Sequence, residues 1–229
     1  MMCLIQCLHV FKTYDSPNPV LQDINLEIFQ GDFVFLLGKS GSGKSTFLKA
    51  LFGLTPLDRG HIFIEGKDIS QLTPREVPYF RREVGTVFQD FKLLTHKSVF
   101  KNVALPLEIV GRDDLFIQKR VHTILSDLNL DQKADVPCGH LSAAEQQRVA
   151  IARAVVNDPV IFLGDEPTAS LDAQEVRQVL RLLDDMRIIG TTVVLTTHNA
   201  SLPAMVPQSR VVVLHQGRLI EQTASSPSS

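Results

Sequence analysis

The chain has 229 residues, of which 44% are hydrophobic and 21% are charged, and its formal net charge is −2. These values are typical of one large globular domain, or of a core with an inserted subdomain, and they lack the basic stripe of a nucleic-acid-binding protein. The odd number of cysteines, without metal-ligand spacing, predicts free thiols in a reducing compartment. No signal peptide or apolar run long enough for a membrane span is recognised, so we expect a cytosolic protein that reaches a membrane only through a partner.

Hydrophobic periodicity predicts alternating strands and helices. In the first part of the chain these are a half-exposed strand at 24–28, a buried strand at 33–38, a helix at 45–54 that ends near Gly53, and a strand at 61–69 with a turn at Gly66–Lys67. In the last part they are a helix at 142–157, a strand at 160–165, a helix at 173–189, and strands at 192–198 and 210–217, the latter with a turn at Gln216–Gly217.

Between these parts, within about 91–140, residues 98–110 and 114–130 have helical spacing, which we expect to be broken by Pro106 and by a turn at 111–114. The alternation on either side predicts an α/β fold with a largely parallel sheet. The predicted domain spans 1–222, with a helical subdomain inserted at about 91–157, and a disordered polar tail is expected at 223–229.

Residues 38–45, GKSGSGKS, match G-x-x-x-x-G-K-[ST] between a predicted buried strand and a predicted helix. The glycines let backbone N–H groups turn towards phosphate oxygens, and the helix adds its positive N-terminus. Lys44 is expected to contact the β- and γ-phosphates, and Ser45 to bind Mg²⁺. The candidate phosphate-binding residues are Gly38, Lys39, Ser40, Gly41, Ser42, Gly43, Lys44, Ser45 and Thr46.

Two other predicted strands end in polar side chains. Asp165 and Glu166 follow the apolar run at 160–163, where an acid can hold Mg²⁺ and its neighbour can polarise an attacking water. His198 ends the strand at 192–198, at the sheet edge where ligands gather.

A capping box is predicted at Ser142 and Glu145, and small residues, Ala143 and Ala144, fill the first turn behind it. Such a helix start can seat an anion, although an ordinary capped surface helix has the same pattern.

Together with the phosphate loop, the segments VGTVFQD (84–90), LSAAEQQRVAIARA (141–154), VIFLGDEPTASLD (160–172) and VVLTTH (193–198) resemble, in order and spacing, the ATP-binding-cassette ATPases. The resemblance covers about 3–220. It implies a P-loop NTPase core with a mixed, mainly parallel sheet, an antiparallel β region and a helical subdomain, and it implies Mg²⁺-dependent ATP hydrolysis.

The resemblance also implies residue roles. Tyr14 would stack on adenine, Gln89 would reach Mg²⁺ and the attacking water, and Asp165 would be the acid on the metal side. Glu166 would be the catalytic base and His198 the histidine near the γ-phosphate. Two such cassettes pack head to tail around ATP, so Ser142, Ala144, Glu145 and Asp172 would meet the nucleotide of a second copy. The family usually has two glycines at 143–144, and we expect the alanine methyl groups to weaken the closed dimer.

The segment at 72–111 resembles cassettes of the bacterial cell-division branch, especially at 75–85 and 88–94, while 97–107 is shared more widely with relatives that drive lipoprotein release or macrolide efflux. It implies an integral membrane partner of permease type that docks around 91–102 on the inner face of the plasma membrane, and activation of peptidoglycan hydrolysis across that membrane. Two alternatives remain: the ATPase of a lipoprotein-release or macrolide-export transporter, and a regulatory nucleotide-binding module with weak hydrolysis. A nucleic-acid repair ATPase is ranked last because heptads and a basic stripe are missing.

Overall fold

The computed structural model describes residues 2–14 and 18–224, with side chains to 220. Its strands are β1 (Cys3–Lys12), β2 (Leu21–Phe29), β3 (Phe33–Leu37), β4 (Arg59–Ile64), β5 (Lys67–Asp68), β6 (Val84–Val87), β7 (Ile161–Asp165), β8 (Thr192–Thr197), β9 (Arg210–His215) and β10 (Arg218–Ala224). Its α-helices are α1 (Lys44–Leu51), α2 (Val77–Arg81), α3 (Val99–Ile109), α4 (Asp114–Asp127), α5 (Ala143–Val155) and α6 (Ala173–Ile188).

The strands form two sheets. The smaller sheet has the order β2-β1-β4-β5 and is antiparallel throughout. The larger sheet has the order β10-β9-β3-β8-β7-β6; every pair in it is parallel except β10 with β9. The parallel sheet predicted from the alternation and the antiparallel region implied by the family resemblance are thus both confirmed.

Two hydrophobic cores hold these layers together. One lies between the two sheets and α1, and includes Ile24, Leu36 and Phe47. The other joins the far face of the larger sheet to α3, α4, α5 and α6. Since β3, β7 and β8 are buried along almost their whole length, their sequences read as continuous apolar runs instead of alternating ones.

Parallel strands end at a common edge of the sheet. The loop at 38–43 leaves β3 at that edge, β7 ends there at Asp165, and β8 ends there just before His198. The fold therefore brings residues that are more than a hundred positions apart in the sequence to one edge of the sheet.

Three details of the local predictions were wrong or shifted. Pro106 lies inside α3 without ending it, because the helix is held by burial of Val103, Ala104 and Leu107. The turn between β4 and β5 is at Glu65–Gly66, one residue earlier than predicted; both residues have positive φ, 50° and 75°. Strand β10 runs to Ala224, two residues past the predicted domain boundary, and the rest of the expected tail, 225–229, lies outside the described residues.

Candidate nucleotide site and partner groove

The loop between β3 and α1 is closed so tightly that two of its glycines leave no room for a side chain. A Cβ on Gly43, where φ is 106°, would lie 2.6 Å from the Val20 carbonyl oxygen. A Cβ on Gly38 would lie 2.4 Å from the Leu214 carbonyl oxygen and 2.5 Å from Ser42 Oγ. Ser42 Oγ is buried, and it has no hydrogen-bond partner in the part of the chain that the structure describes. A loop of this shape, with an unpaired hydroxyl within it, suits a polar ligand.

Lys44 is the first residue of α1, and only 7% of it is exposed. Its Nζ donates to the carbonyl oxygens of Gly38 at 2.7 Å and of Lys39 at 3.1 Å. These two bonds hold the ammonium across the loop. It lies beside the N-terminus of α1, which carries a partial positive charge. The loop thus combines a fixed cation with a helix start, an arrangement that suits phosphate oxygens.

A cavity of about 810 Å³ opens over this loop. It brings together candidate residues from five separate parts of the chain: Tyr14, Lys39, Ser40, Gly41, Gly43, Lys44, Ser45, Thr46, Gln89, Asp165, Glu166 and His198. Val20 and Ala169, which sequence reasoning did not select, also line it. Tyr14 is 49% exposed, so its ring is available for stacking.

The acidic rim of the cavity is held by β8. Asp165 is 5% exposed and its Oδ1 accepts a hydrogen bond from Thr196 Oγ1 at 2.6 Å. Sequence reasoning missed Thr196, which lies in β8 two positions before His198. Asp165 and Thr196 are register partners on neighbouring strands, so this contact depends on the sheet.

Glu166 takes a left-handed backbone conformation, with φ of 49°. Its N–H donates to the Thr196 carbonyl oxygen at 3.2 Å, and its Oε1 lies 2.8 Å from Nδ1 of His198. Left-handed backbone is costly for a non-glycine residue and persists where the surroundings hold it. The result is a carboxylate that is oriented by a histidine at the edge of the phosphate cavity.

The three predicted magnesium ligands share one wall. Ser45, Gln89 and Asp165 line the large cavity and also an adjoining cavity of about 570 Å³. A hydroxyl, an amide and a carboxylate supply the oxygen atoms that Mg²⁺ prefers. This donor set fits the ion.

The predicted capping box of α5 is present: Ser142 Oγ accepts from the Glu145 N–H at 3.2 Å, and a Glu145 carboxylate oxygen accepts from the Ser142 N–H at 2.8 Å. Bonding to Ser142 lowers the pKa of Glu145. Asp172 likewise caps α6, and the N–H of Glu175 lowers its pKa. Ser142, Ala144, Glu145 and Asp172 are absent from the residues that line the 810 Å³ cavity of their own chain.

A third cavity, a groove of about 470 Å³, lies between α2, α3 and α5. Its walls combine apolar residues such as Pro106 and Ile109 with the cations Arg81 and Arg153. Of the segment 91–102, expected to meet a partner, only Lys92 lines it. Phe52 and Lys92 also line the 570 Å³ cavity, so the groove adjoins the nucleotide site.

Comparisons with known proteins agree with this architecture. The family model for ABC transporters matches residues 21–169. The ATP-binding cassette MJ0796, in a dimeric post-hydrolysis structure bound to ADP and Pi, has a TM-score of 0.92 and 32% identity, covering 98% of this chain and all of that one. This chain therefore belongs to the ABC ATPases, a family of ATP hydrolases.

Within that family the chain is similar to cell-division ATP-binding proteins named FtsE. The protein of Mycobacterium tuberculosis is 44% identical over 93% of this chain and 92% of its own length. That of Escherichia coli K12 is 41% identical, with coverage of 94% and 97%, and that of Bacillus subtilis is 39% identical, with 95% of both chains covered.

Proposed function

We propose that this chain is the ATP-hydrolysing subunit of an FtsE–FtsX-type complex, which couples ATP-driven dimerisation to activation of peptidoglycan hydrolysis across the membrane during cell division. The observation that carries the proposal is similarity to FtsE proteins along nearly the whole chain, at 36–44% identity. Among the described residues no helix is long and apolar enough to cross a membrane. The proposed place of the chain is on the cytoplasmic face of the membrane, where a permease would hold it.

In the proposed reaction Tyr14 stacks on adenine, while the 38–46 loop and Lys44 hold the phosphates. Water attacks the γ-phosphorus, the bond from that phosphorus to the bridging oxygen of ADP breaks, and Glu166 takes the water proton. His198, 2.8 Å from Glu166, keeps that carboxylate aimed at the water. Ser45, Gln89 and Asp165 would hold Mg²⁺, which would neutralise charge that develops on the phosphate oxygens.

The site is completed by a second copy of the chain. Ser142, Ala144, Glu145 and Asp172 do not line their own cavity, but they lie at the starts of α5 and α6, where the positive N-terminus of a helix suits a phosphate. A head-to-tail pair would place each α5 N-terminus over the ATP of the other copy. ATP then favours the closed pair, and hydrolysis releases it, because the two states bind the phosphates differently.

The permease would dock in the groove between α2, α3 and α5. The groove offers apolar walls and three arginines, Arg81, Arg82 and Arg153, so a short amphipathic cytoplasmic helix with an acidic residue fits it. Because the groove adjoins the cavity that contains Gln89, docking and hydrolysis can influence each other.

The test is purification from the native membrane in Mg-ATP of Glu166→Gln, which should bind ATP but hydrolyse it about 10²–10⁴-fold more slowly. Lys44→Ala, which should bind ATP poorly, is the control. We expect an FtsX-type permease with both variants and a closed ATP dimer only with Glu166→Gln. A lipoprotein-release or macrolide-export permease instead would make the chain a transport ATPase, and no permease would favour the regulatory module.

A further inference from the structure

The loop after Gln89 has a strained backbone. Phe91 and Lys92 take left-handed conformations in succession, with φ of 54° and 52°. Neither is a glycine, and each such residue costs about 1–2 kcal/mol relative to the right-handed region. Residues outside the loop must therefore hold it in this shape.

Arg153, in the last turn of α5, contacts both strained residues. Its Nη2 donates to the Phe91 carbonyl oxygen and its Nη1 to the Lys92 carbonyl oxygen, each at 2.7 Å. The planar guanidinium fork can hold two oxygens at once, which a lysine ammonium cannot do with the same geometry.

The position of Arg153 is itself fixed by a close contact between α5 and β6. A Cβ on Gly85 in β6 would lie 2.1 Å from the carbonyl oxygen of Ala154, the residue after Arg153. Helix α5 therefore lies directly against the strand that leads to Gln89. The N-terminus of α5 carries the Ser142 capping box, which is proposed to face a second copy, and its last turn carries Arg153. One helix therefore connects that surface to the Gln89 loop.

We infer that Arg153 is a positioning residue for hydrolysis: it holds the 91–92 backbone so that Gln89 stays at the phosphate cavity, and it transmits movement of α5 to that side chain. This inference rests on the proposed role of Gln89 in the reaction. Arg153 and Lys92 also line the partner groove, so an occupant of the groove would act on the same pair of bonds.

The test is a double-mutant cycle of Arg153→Lys and Gln89→Ala in the full chain, with steady-state Mg-ATP hydrolysis as the readout. We expect Arg153→Lys to lower kcat about tenfold or more, as small misplacements do, and to leave KM for ATP nearly unchanged. Gln89→Ala should lower kcat as well, and the double variant should be no slower than the slower single one, because Arg153 acts through Gln89.

Arg120→Lys is the matched control. Arg120 Nε donates to the Val156 carbonyl oxygen at 3.1 Å and its guanidinium pairs with Asp158, so it ties α4 to the chain just after α5 and its bonds do not go to the 91–92 backbone. It should keep the kcat of the natural chain. A second variant, Lys92→Gly, should restore part of the kcat lost in Arg153→Lys, because glycine takes positive φ without strain.

Additive losses in the double variant, a rise in KM alone, or loss of the folded state in Arg153→Lys would overturn the inference. If Gln89→Ala slows hydrolysis and Arg153→Lys does not, the inference fails while the proposed role of Gln89 stands. If Gln89→Ala has no effect, both fail.

Discussion

Ala143 and Ala144 stand where the family resemblance implies two glycines. Both belong to the first turn of α5, so their backbone is helical, and no positive φ is required of them here. The remaining difference from glycine is the pair of methyl groups on a surface that would face the phosphate of a second copy. Helix propensity favours alanine over glycine by about 1 kcal/mol at each position, so the two alanines stabilise the fold of each chain.

We predict that Ala143→Gly, Ala144→Gly tightens ATP-driven dimerisation about tenfold, since glycine allows closer approach of the backbone to the phosphate. The measurement is the dimer Kd in Mg-ATP by analytical ultracentrifugation, with Glu166→Gln in both proteins to prevent turnover. The same variant should unfold at a slightly lower temperature. An equal or tighter dimer in the natural sequence would refute the prediction.

Asp172 adds a pH-dependent contribution at the start of α6. Its Oδ1 accepts from the N–H groups of Glu175 and Gln174, each at 2.8 Å, and these bonds lower its pKa in the folded chain. A carboxyl with a lowered folded pKa stabilises the fold above its unfolded pKa of about 3.9, and this contribution is lost as the pH falls through the folded pKa.

Asp172→Asn should therefore be less stable than the natural chain at pH 7, and the difference should shrink as the pH is lowered below about 4. Asparagine is a good N-cap, so the substitution removes the charge and keeps a capping side chain. Urea denaturation across this pH range measures the effect. A difference in unfolding free energy that does not change with pH would show that the charge is not its cause.

At the scale of elements, the packing of α5 on β6 decides how the helical subdomain meets the sheet. Gly85 leaves no space for a methyl group beneath Ala154. Nearby, Arg81 of α2 donates to the carbonyl oxygens of Phe52 at 3.3 Å and Gly53 at 2.9 Å, at the C-terminal end of α1. Two arginines that line the groove, Arg81 and Arg153, thus bond to the backbone of Phe52 and Lys92, which also line the 570 Å³ cavity next to the nucleotide site.

Gly85→Ala should destabilise the fold by about 1–3 kcal/mol, the usual cost of an overpacked core, and should also lower kcat by moving Arg153 away from the 91–92 backbone. Gly111→Ala is the comparison: φ there is 76° and a Cβ would meet nothing within 4 Å, so it reports conformational strain alone. Chemical denaturation and ATPase assays of both variants provide the measurement. Equal losses of stability in the two variants, together with an unchanged kcat in Gly85→Ala, would contradict a tight contact between α5 and β6 that positions Arg153.

At the scale of the whole molecule, the nucleotide cavity and the helix starts at Ser142 and Asp172 are separate surfaces of one chain. In the proposed head-to-tail pair, the chain that binds ATP in the cavity obtains the second set of groups from the other copy. When the cavity of each copy faces the helix starts of the other, the two copies form an isologous pair with two equivalent sites.

Mixing Lys44→Ala with Ser142→Ala should therefore restore activity that neither variant has alone. In the mixed dimer one site combines the intact phosphate loop of one copy with the intact Ser142 of the other. With random pairing, half of the dimers are mixed. Each mixed dimer has one functional site out of two, so we expect up to about a quarter of the natural rate. Mixtures that stay at the level of the separate variants would contradict a site shared between copies.

Local patterns in the sequence predicted the phosphate loop, both strand-end acids, His198 and the Ser142–Glu145 capping box, because each is specified by neighbours in the chain. The same local reasoning was wrong about Pro106, whose helix is maintained by buried apolar residues around it. Roles for Tyr14, Gln89 and Asp172 came from the family resemblance and stay predictions, although the structure places Tyr14 and Gln89 at the cavity.

What the sequence by itself determined about this protein is its phosphate chemistry and its family, since a loop of fixed spacing and a helix start are encoded by consecutive residues. What only the tertiary structure decided is how distant groups meet: Thr196 with Asp165, His198 with Glu166, and Arg153 with the backbone after Gln89. Strand register and the close approach of α5 to β6 create these contacts. No local pattern encodes them, because each depends on how whole elements pack against one another.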